Sequence, residues 1–171
     1  LPIGGSVNSN ATVCSGSNSG TFYVKGQTDN VVKWPYSTHG GSTWTDIANT
    51  TTSQVYSNLT QTTMGRAVMQ SGTCASANSN PVTITVNSAP YATISYSGTP
   101  FCSTGGSAAV TQSGTSGGNY SSTSGLSLNS STGAIDLSSS TPGNYTITYS
   151  IAAGVCAAYS TTTNVSITQP G

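Results

Sequence analysis

The stretches CASANSNPVTITVNSAP (Cys74–Pro90) and CAAYSTTTNVSITQPG (Cys156–Gly171) decide the fold. Each runs from a cysteine through a polar segment into an alternating strand and ends at a proline turn. In the first, Val82, Ile84 and Val86 alternate with Thr83 and Thr85; in the second, Val165 and Ile167 alternate with Ser166 and Thr168. Period-2 alternation of β-branched and hydroxyl residues is the mark of a half-buried strand. The openings of the two halves also match. VCSGSNSGTF (Val13–Phe22) resembles FCSTGGSAAV (Phe101–Val110). The chain is therefore an internal repeat of roughly 85 residues, with the boundary at NSAP (Asn87–Pro90). This predicts two domains, residues 1–88 and 89–171.

Composition narrows the class. Of 171 residues only three are basic and three acidic, and none is Glu. About a third are Ser or Thr. A net charge of zero leaves no electrostatic footprint for nucleic acid or an anionic membrane surface. Strong helix formers are scarce, so the chain should be almost wholly β. No apolar run reaches the length of a membrane span. The turn-like ends, LPIGG and QPG, suit a monomeric segment of a longer exported protein.

In the first half the strands are expected at Thr21–Lys25, Val31–Tyr36, Thr43–Ile47, Gln54–Tyr56, Arg66–Gln70 and Pro81–Val86. In the second they are expected at Ala92–Tyr96, Ala108–Gln112, Gly125–Leu128, Ala134–Leu137, Tyr145–Ile151 and Thr163–Thr168. Turn signals separate them at short intervals, which predicts an all-β protein of two tandem Ig-like β-sandwiches. Trp34, Tyr145 and Tyr149 fall on the inward faces of their strands.

Small domains with few apolar residues need staples. The repeat register makes Cys14–Cys74 and Cys102–Cys156 the simplest pairing, one disulfide in each domain. Closing loops of this size stabilises by about 4 kcal/mol on the chain-entropy model. Disulfides imply an oxidising, extracellular location. No CxxC pair is present, and the single histidine cannot complete a zinc site. Trp34 lies 20 residues after Cys14, further than in antibody domains. Position 72 is Gly, where those domains carry a corner tyrosine. The expected fold is Ig-like without being of antibody type.

Beyond these readings, VCSGSNSGTFYVKGQTDNVVKWPYSTHGGSTWTDIANTTTSQVYSNLT (Val13–Thr60) and QSGTCASANSNPVTITV (Gln70–Val86) resemble Ig-like repeats of very large bacterial surface adhesins, the SprB-type gliding-motility adhesins. The second half, with GLSLNSSTGAID (Gly125–Asp136) and TPGNYTIT (Thr141–Thr148), is similar to putative-Ig domains of bacterial surface proteins. The resemblance implies cell-surface localisation and a bacterial source. It implies neighbouring repeats of the same chain as partners, with surface polysaccharide as a further candidate. Two departures stand out. The family has Asp where His39 stands, and an aromatic where Gly65 stands, which suggests a looser core at that point.

The candidate site is YSTHGGSTW, Tyr36–Trp44. The spacing of Ser37, His39, Gly41 and Trp44 resembles the Asp-box, a β-hairpin motif of sialidases and surface folds. Gly40 and Gly41 suit a tight turn, and a neutral His39 ring nitrogen is a candidate acceptor for a turn amide. The motif therefore reads first as a structural hairpin. A sugar-binding platform of Tyr36, Trp44 and Tyr56 is the second reading. A catalytic reading is the weakest, because the acids Asp29, Asp46 and Asp136 fall in separate segments and no carboxylate pair forms. Asp136 is a weak calcium candidate; otherwise no metal and no cofactor is expected. Lys25 and Lys33 are candidates for an intramolecular crosslink only if one adjoins a buried acid. The expected function is a non-catalytic adhesin stalk. The alternatives are a carbohydrate-binding module or an Ig-like spacer of a secreted enzyme.

Overall fold

The computed structural model describes residues 1–171. The chain is all β, without a helix. It divides into two compact units, Leu1–Ala89 and Pro90–Gly171.

The first unit contains β1 (Ser6–Val7), β2 (Ala11–Cys14), β3 (Ser19–Lys25), β4 (Asn30–Ser37), β5 (Thr45–Ile47), β6 (Ser53–Ser57), β7 (Thr63–Gly65), β8 (Val68–Gln70), β9 (Ala77–Asn78) and β10 (Val82–Asn87). One sheet runs β1-β3-β6. The other runs β2-β10-β7-β4-β8-β9, with β5 on the free edge of β4. The expected strand Arg66–Gln70 is longer and broken. β8 and β7 follow each other along one edge of β4, from Gln70 opposite Asn30 to Met64 opposite Ser37. Between them Ala67 N–H turns aside to donate to Ser79 Oγ at 2.8 Å, and Arg66 N–H donates to the Pro35 carbonyl. β4 has its own register shift between Val31 and Lys33. The extra residue lets Val31 and Trp34 both enter the core, where period-2 alternation alone would separate them. Phe22, Val24, Met69, Val82 and Ile84 complete that core.

The second unit contains β11 (Ala92–Ser95), β12 (Phe101–Cys102), β13 (Ser107–Ala108), β14 (Thr111–Gly114), β15 (Asn119–Ser122), β16 (Ser127–Leu128), β17 (Ile135–Asp136), β18 (Gly143–Ile151) and β19 (Tyr159–Thr168). One sheet runs β12-β19-β18-β15; facing strands pair as β11-β14 and β13-β17-β16. The expected single strand Ala108–Gln112 is split: β13 pairs with β17 and β14 with β11. β19 begins four residues earlier than expected, because Tyr159–Thr162 continue the hairpin register with β18. β15 is an addition. Its segment NYSS carries one apolar residue, Tyr120, too few to show a period.

The two units share a plan. In each, the first strand divides between sheets, β1 and β2 in one unit and β11 and β12 in the other. The second piece runs parallel to the last strand, β2 beside β10 and β12 beside β19.

This plan corrects the disulfide pairing. Cys74 and Cys102 are exposed free thiols, whereas Cys14 and Cys156 are disulfide-bonded. Neither unit is closed by a bond of its own. In the first, Cys14 pairs with Asn87 at the finish of β10, while Cys74 lies ahead of both β9, which starts at Ala77, and β10, which starts at Val82. In the second, Cys102 pairs with Thr168 at the finish, and Cys156 lies three residues before the start at Tyr159. In the second unit the ten residues of β19 at about 3.3 Å each separate the two ends, and in the first β9 and β10 together do the same; a disulfide cannot join Cα atoms more than about 7 Å apart.

The looser core expected at Gly65 is also corrected. A Cβ on Gly65 would come within 2.8 Å of the Phe22 ring. Phe22 fills the space that an aromatic at position 65 would take.

Candidate functional site

The hairpin between β4 and β5 is built around Ser37, not around His39. Ser37 is 2% exposed, and its Oγ accepts from His39 N–H at 3.2 Å and Gly41 N–H at 3.0 Å. This is the acceptor role that the motif gives to Asp. The His39 ring turns outward instead, with Nδ1 at 3.3 Å from Thr38 Oγ1 and 3.4 Å from Thr43 Oγ1. The His39 carbonyl accepts from Ser42 Oγ at 2.8 Å and from Ser42 N–H at 3.2 Å. Gly40 and Gly41 both have positive φ, 62° and 85°, a backbone that L side chains rarely adopt.

Trp44 locks the turn from its far side. Its Nε1–H donates to the Gly41 carbonyl at 2.8 Å. The Arg66 guanidinium covers its ring, 4.0 Å from the centroid, a cation–π contact. The irregularity between β7 and β8 places Arg66 there, in keeping with the way bulges redirect side chains. Lys33 Nζ bonds to Asp46 Oδ2 at 2.7 Å, and both side chains are well exposed. A crosslink needs an acid in a buried setting, and Asp46 does not provide one.

The proposed sugar platform is not assembled as a row. Tyr36 is exposed and borders a shallow groove with Thr38, Asn58, Leu59 and Gln61. Tyr56 lies on β6 in the opposite sheet, its ring 5.0 Å from Phe22 and packed against the core. Trp44 is half-buried and capped by Arg66.

Asp136 is consumed by its own turn. Ser138 donates to Oδ1 through both N–H and hydroxyl, and Ser139 donates its N–H to Oδ1 and its hydroxyl to Oδ2. These bonds, the Ser138 hydroxyl first, hold the carboxyl below the usual carboxylate range. No other acid lies in that unit.

A different residue class closes the second unit, one that hydropathy alone does not single out. Tyr149 OH donates to the Thr115 carbonyl at 3.1 Å and accepts from Gly118 N–H at 2.9 Å. Tyr145 OH donates to the Thr141 carbonyl, and Tyr96 OH to the Gly133 carbonyl. Burial, with Tyr120 adding to it, pushes the Tyr96 phenol up to about 12. Tyr145 and Tyr149, alternating with Ile147 and Ile151 on one strand, were a readable sign of the core, but the loops they reach were not.

The fold and the hairpin define a pair of tandem Ig-like β-sandwiches. The chain belongs to the family described as Domain of unknown function (DUF8696), whose model matches residues 3–88. No curated protein matches the chain. Among solved structures it is similar to Drosophila N-cadherin EC1-4, with a TM-score of 0.54 and 10% identity over 97% of this chain and 50% of that one. It is also similar to a Ca2+-stabilized adhesin of an Antarctic bacterium (TM-score 0.42, 12% identity, 99% and 50% coverage). A third likeness is to Clostridium thermocellum CbhA fibronectin(III)-like modules (TM-score 0.36, 11% identity, 96% and 94% coverage). The chain spans half the length of the cadherin and adhesin chains. At these identities the cadherin likeness is one of fold. No helix is long and apolar enough to cross a membrane.

Proposed function

We propose that the chain is a non-catalytic, extracellular stalk segment of a bacterial cell-surface adhesin, of the kind linked to gliding motility or surface attachment. One observation carries the reading: the same strand plan is laid down twice in series, each time with a first strand split between sheets and a parallel contact to the last. Modules repeated in this way suit quasi-one-dimensional arrays, where each contacts mainly its neighbours. The hairpin supports the same reading, since its hydroxyl, amide and indole groups bond within the turn. Near-absent charge limits electrostatic repulsion along an array.

The test is activity and ligand screening of this chain. A stalk hydrolyses no glycoside, ester or peptide substrate and binds soluble glycans weakly or not at all. A glycan bound below about 100 μM, roughly −5.5 kcal/mol, and lost in a folded Trp44→Ala variant would replace the stalk with a carbohydrate-binding module.

A further inference from the structure

Each module carries one cysteine beside the finish of its last strand and one ahead of the segment leading into that strand, before β9 in the first module and before β19 in the second. The finishing-end residues are Cys14 and Cys102; the starting-end residues are Cys74 and Cys156. The oxidised set, Cys14 and Cys156, holds one of each kind. The free set, Cys74 and Cys102, holds the same combination, and both residues are exposed. So the position that is reduced in one module is oxidised in its sister.

Chain direction gives this pattern meaning. In the first module the polypeptide enters beside the starting end, where Gly4 abuts the Asn78 carbonyl of β9. In the second it also enters there: the Tyr91 ring lies tilted against Tyr159, 5.9 Å between centroids, and Tyr159 OH donates to the Ala92 carbonyl at 3.0 Å. Each module then leaves from its finishing end. Each module is thus entered at the end that holds its starting-end cysteine and left at the end that holds its finishing-end cysteine.

We propose that Cys102 of one copy of this module pair forms a disulfide with Cys74 of the next copy. The partner is a further copy of the same kind of module. The proposal rests on the serial-array reading and adds a covalent link between its members.

The chemistry is thiol–disulfide exchange. The Cys102 thiolate attacks a disulfide oxidant, forming a mixed disulfide and expelling one thiol. The Cys74 thiolate of the next copy attacks the Cys102 sulfur and expels the second. Two protein thiols are oxidised, the oxidant disulfide is reduced to two thiols, and two protons are released to thiolate or solvent. Thr104 favours the first step. Its hydroxyl lies 3.1 Å from Cys102 Sγ and, by bonding to it, lowers the thiol below its ordinary range.

The experiment treats the whole chain, at high protein concentration, with oxidised glutathione. Non-reducing electrophoresis should show a ladder of multimers, and peptide mapping should find Cys74 joined to Cys102. Cys74→Ser and Cys102→Ser variants should each stay monomeric alone, and a mixture of the two should stop at dimers. Single variants that dimerise as readily as the mixture would overturn the proposal. So would glutathione-capped monomers only, an internal Cys74–Cys102 bond, or exchange that draws Cys14 or Cys156 into new pairs. None of those results touches the stalk reading, which stands or falls on hydrolysis and glycan binding.

Discussion

In the first module Trp34 and Tyr56 both pack against Phe22 between the sheets, and the loops are tied by side-chain amides. Asn18 shows the device: Nδ2 donates to the Cys14 and Leu59 carbonyls, and Oδ1 accepts from Leu59 N–H. In the second module the core is built from Tyr96, Tyr120, Tyr145 and Tyr149, and Tyr96, Tyr145 and Tyr149 themselves reach the loops through their hydroxyls. Both solutions answer one problem. A chain this poor in apolar residues leaves many loop carbonyls near the core, and a buried carbonyl without a donor is costly. The first module leaves loop bonding mainly to side-chain amides such as Asn18, with Trp34 Nε1–H adding one bond to the Thr51 carbonyl at 2.9 Å. The second gives filling and hydrogen bonding to one residue type, whose ring is apolar and whose tip is polar.

The contrast can be broken most forcefully at Trp34. Trp34→Ala should cost the first module about 3–5 kcal/mol, the range for emptying an aromatic site in a core. Because the second module has its own core, urea unfolding followed by circular dichroism should show two transitions, with the later one unmoved. A single shifted transition would mean that the cores are not separate.

Tyr149→Phe comes next. It keeps the ring and removes the tip, leaving Thr115 O and Gly118 N without their partner. A loss of about 1–3 kcal/mol is expected. A loss below about 0.5 kcal/mol, the size of an ordinary surface change, would show that the ring alone matters.

The alkaline limit sharpens the comparison at lower cost. Tyr96 titrates near 12 in the folded module, against about 10 for a tyrosine in an unfolded chain. The folded pKa is the higher one, so the stabilisation is fully present below about pH 10 and is lost as pH rises toward 12. The second module should therefore weaken over that interval, in step with tyrosinate absorbance. Unfolding unchanged up to pH 12 would contradict the buried setting of Tyr96.

The smallest effects lie in the hairpin. Ser37→Ala should cost about 1 kcal/mol, since it frees two turn amides. His39→Asp should shift stability by less than about 0.5 kcal/mol, because Ser37 already holds the acceptor position. A gain above that limit would restore the motif's Asp role to position 39.

Much of this architecture was readable in the alternation of Val82–Val86 and Tyr145–Ile151 and in the repeated cysteine surroundings. What could not be read was set by three-dimensional register. Tyr159–Thr162 pass for a polar loop, yet they form strand because β18 supplies their partners. Ala108–Gln112 pass for one strand, yet the two ends serve different sheets. Cysteine spacing gives distance along the chain but not which end of a strand each residue occupies, so the pairing inferred from the repeat failed. Gly65 suggests a gap only until Phe22, 43 positions earlier, is seen to fill it. The turn acceptor likewise fell to Ser37 and not to His39, because burial selected the shorter side chain.

The parallel seam between the first and last strands has a mechanical consequence. Tension on the two ends of a module pulls β2 and β10 in opposite directions along their common axis. Their hydrogen bonds are then loaded together, in shear, instead of being peeled apart one at a time. The first module has four residue pairs along this seam and the second has two. Once the bonds of Cys14 and Cys156 are reduced, so that load passes through the strands alone, the second module, with the shorter seam, is the one that yields first under a steady pull, and the first is the stiff one.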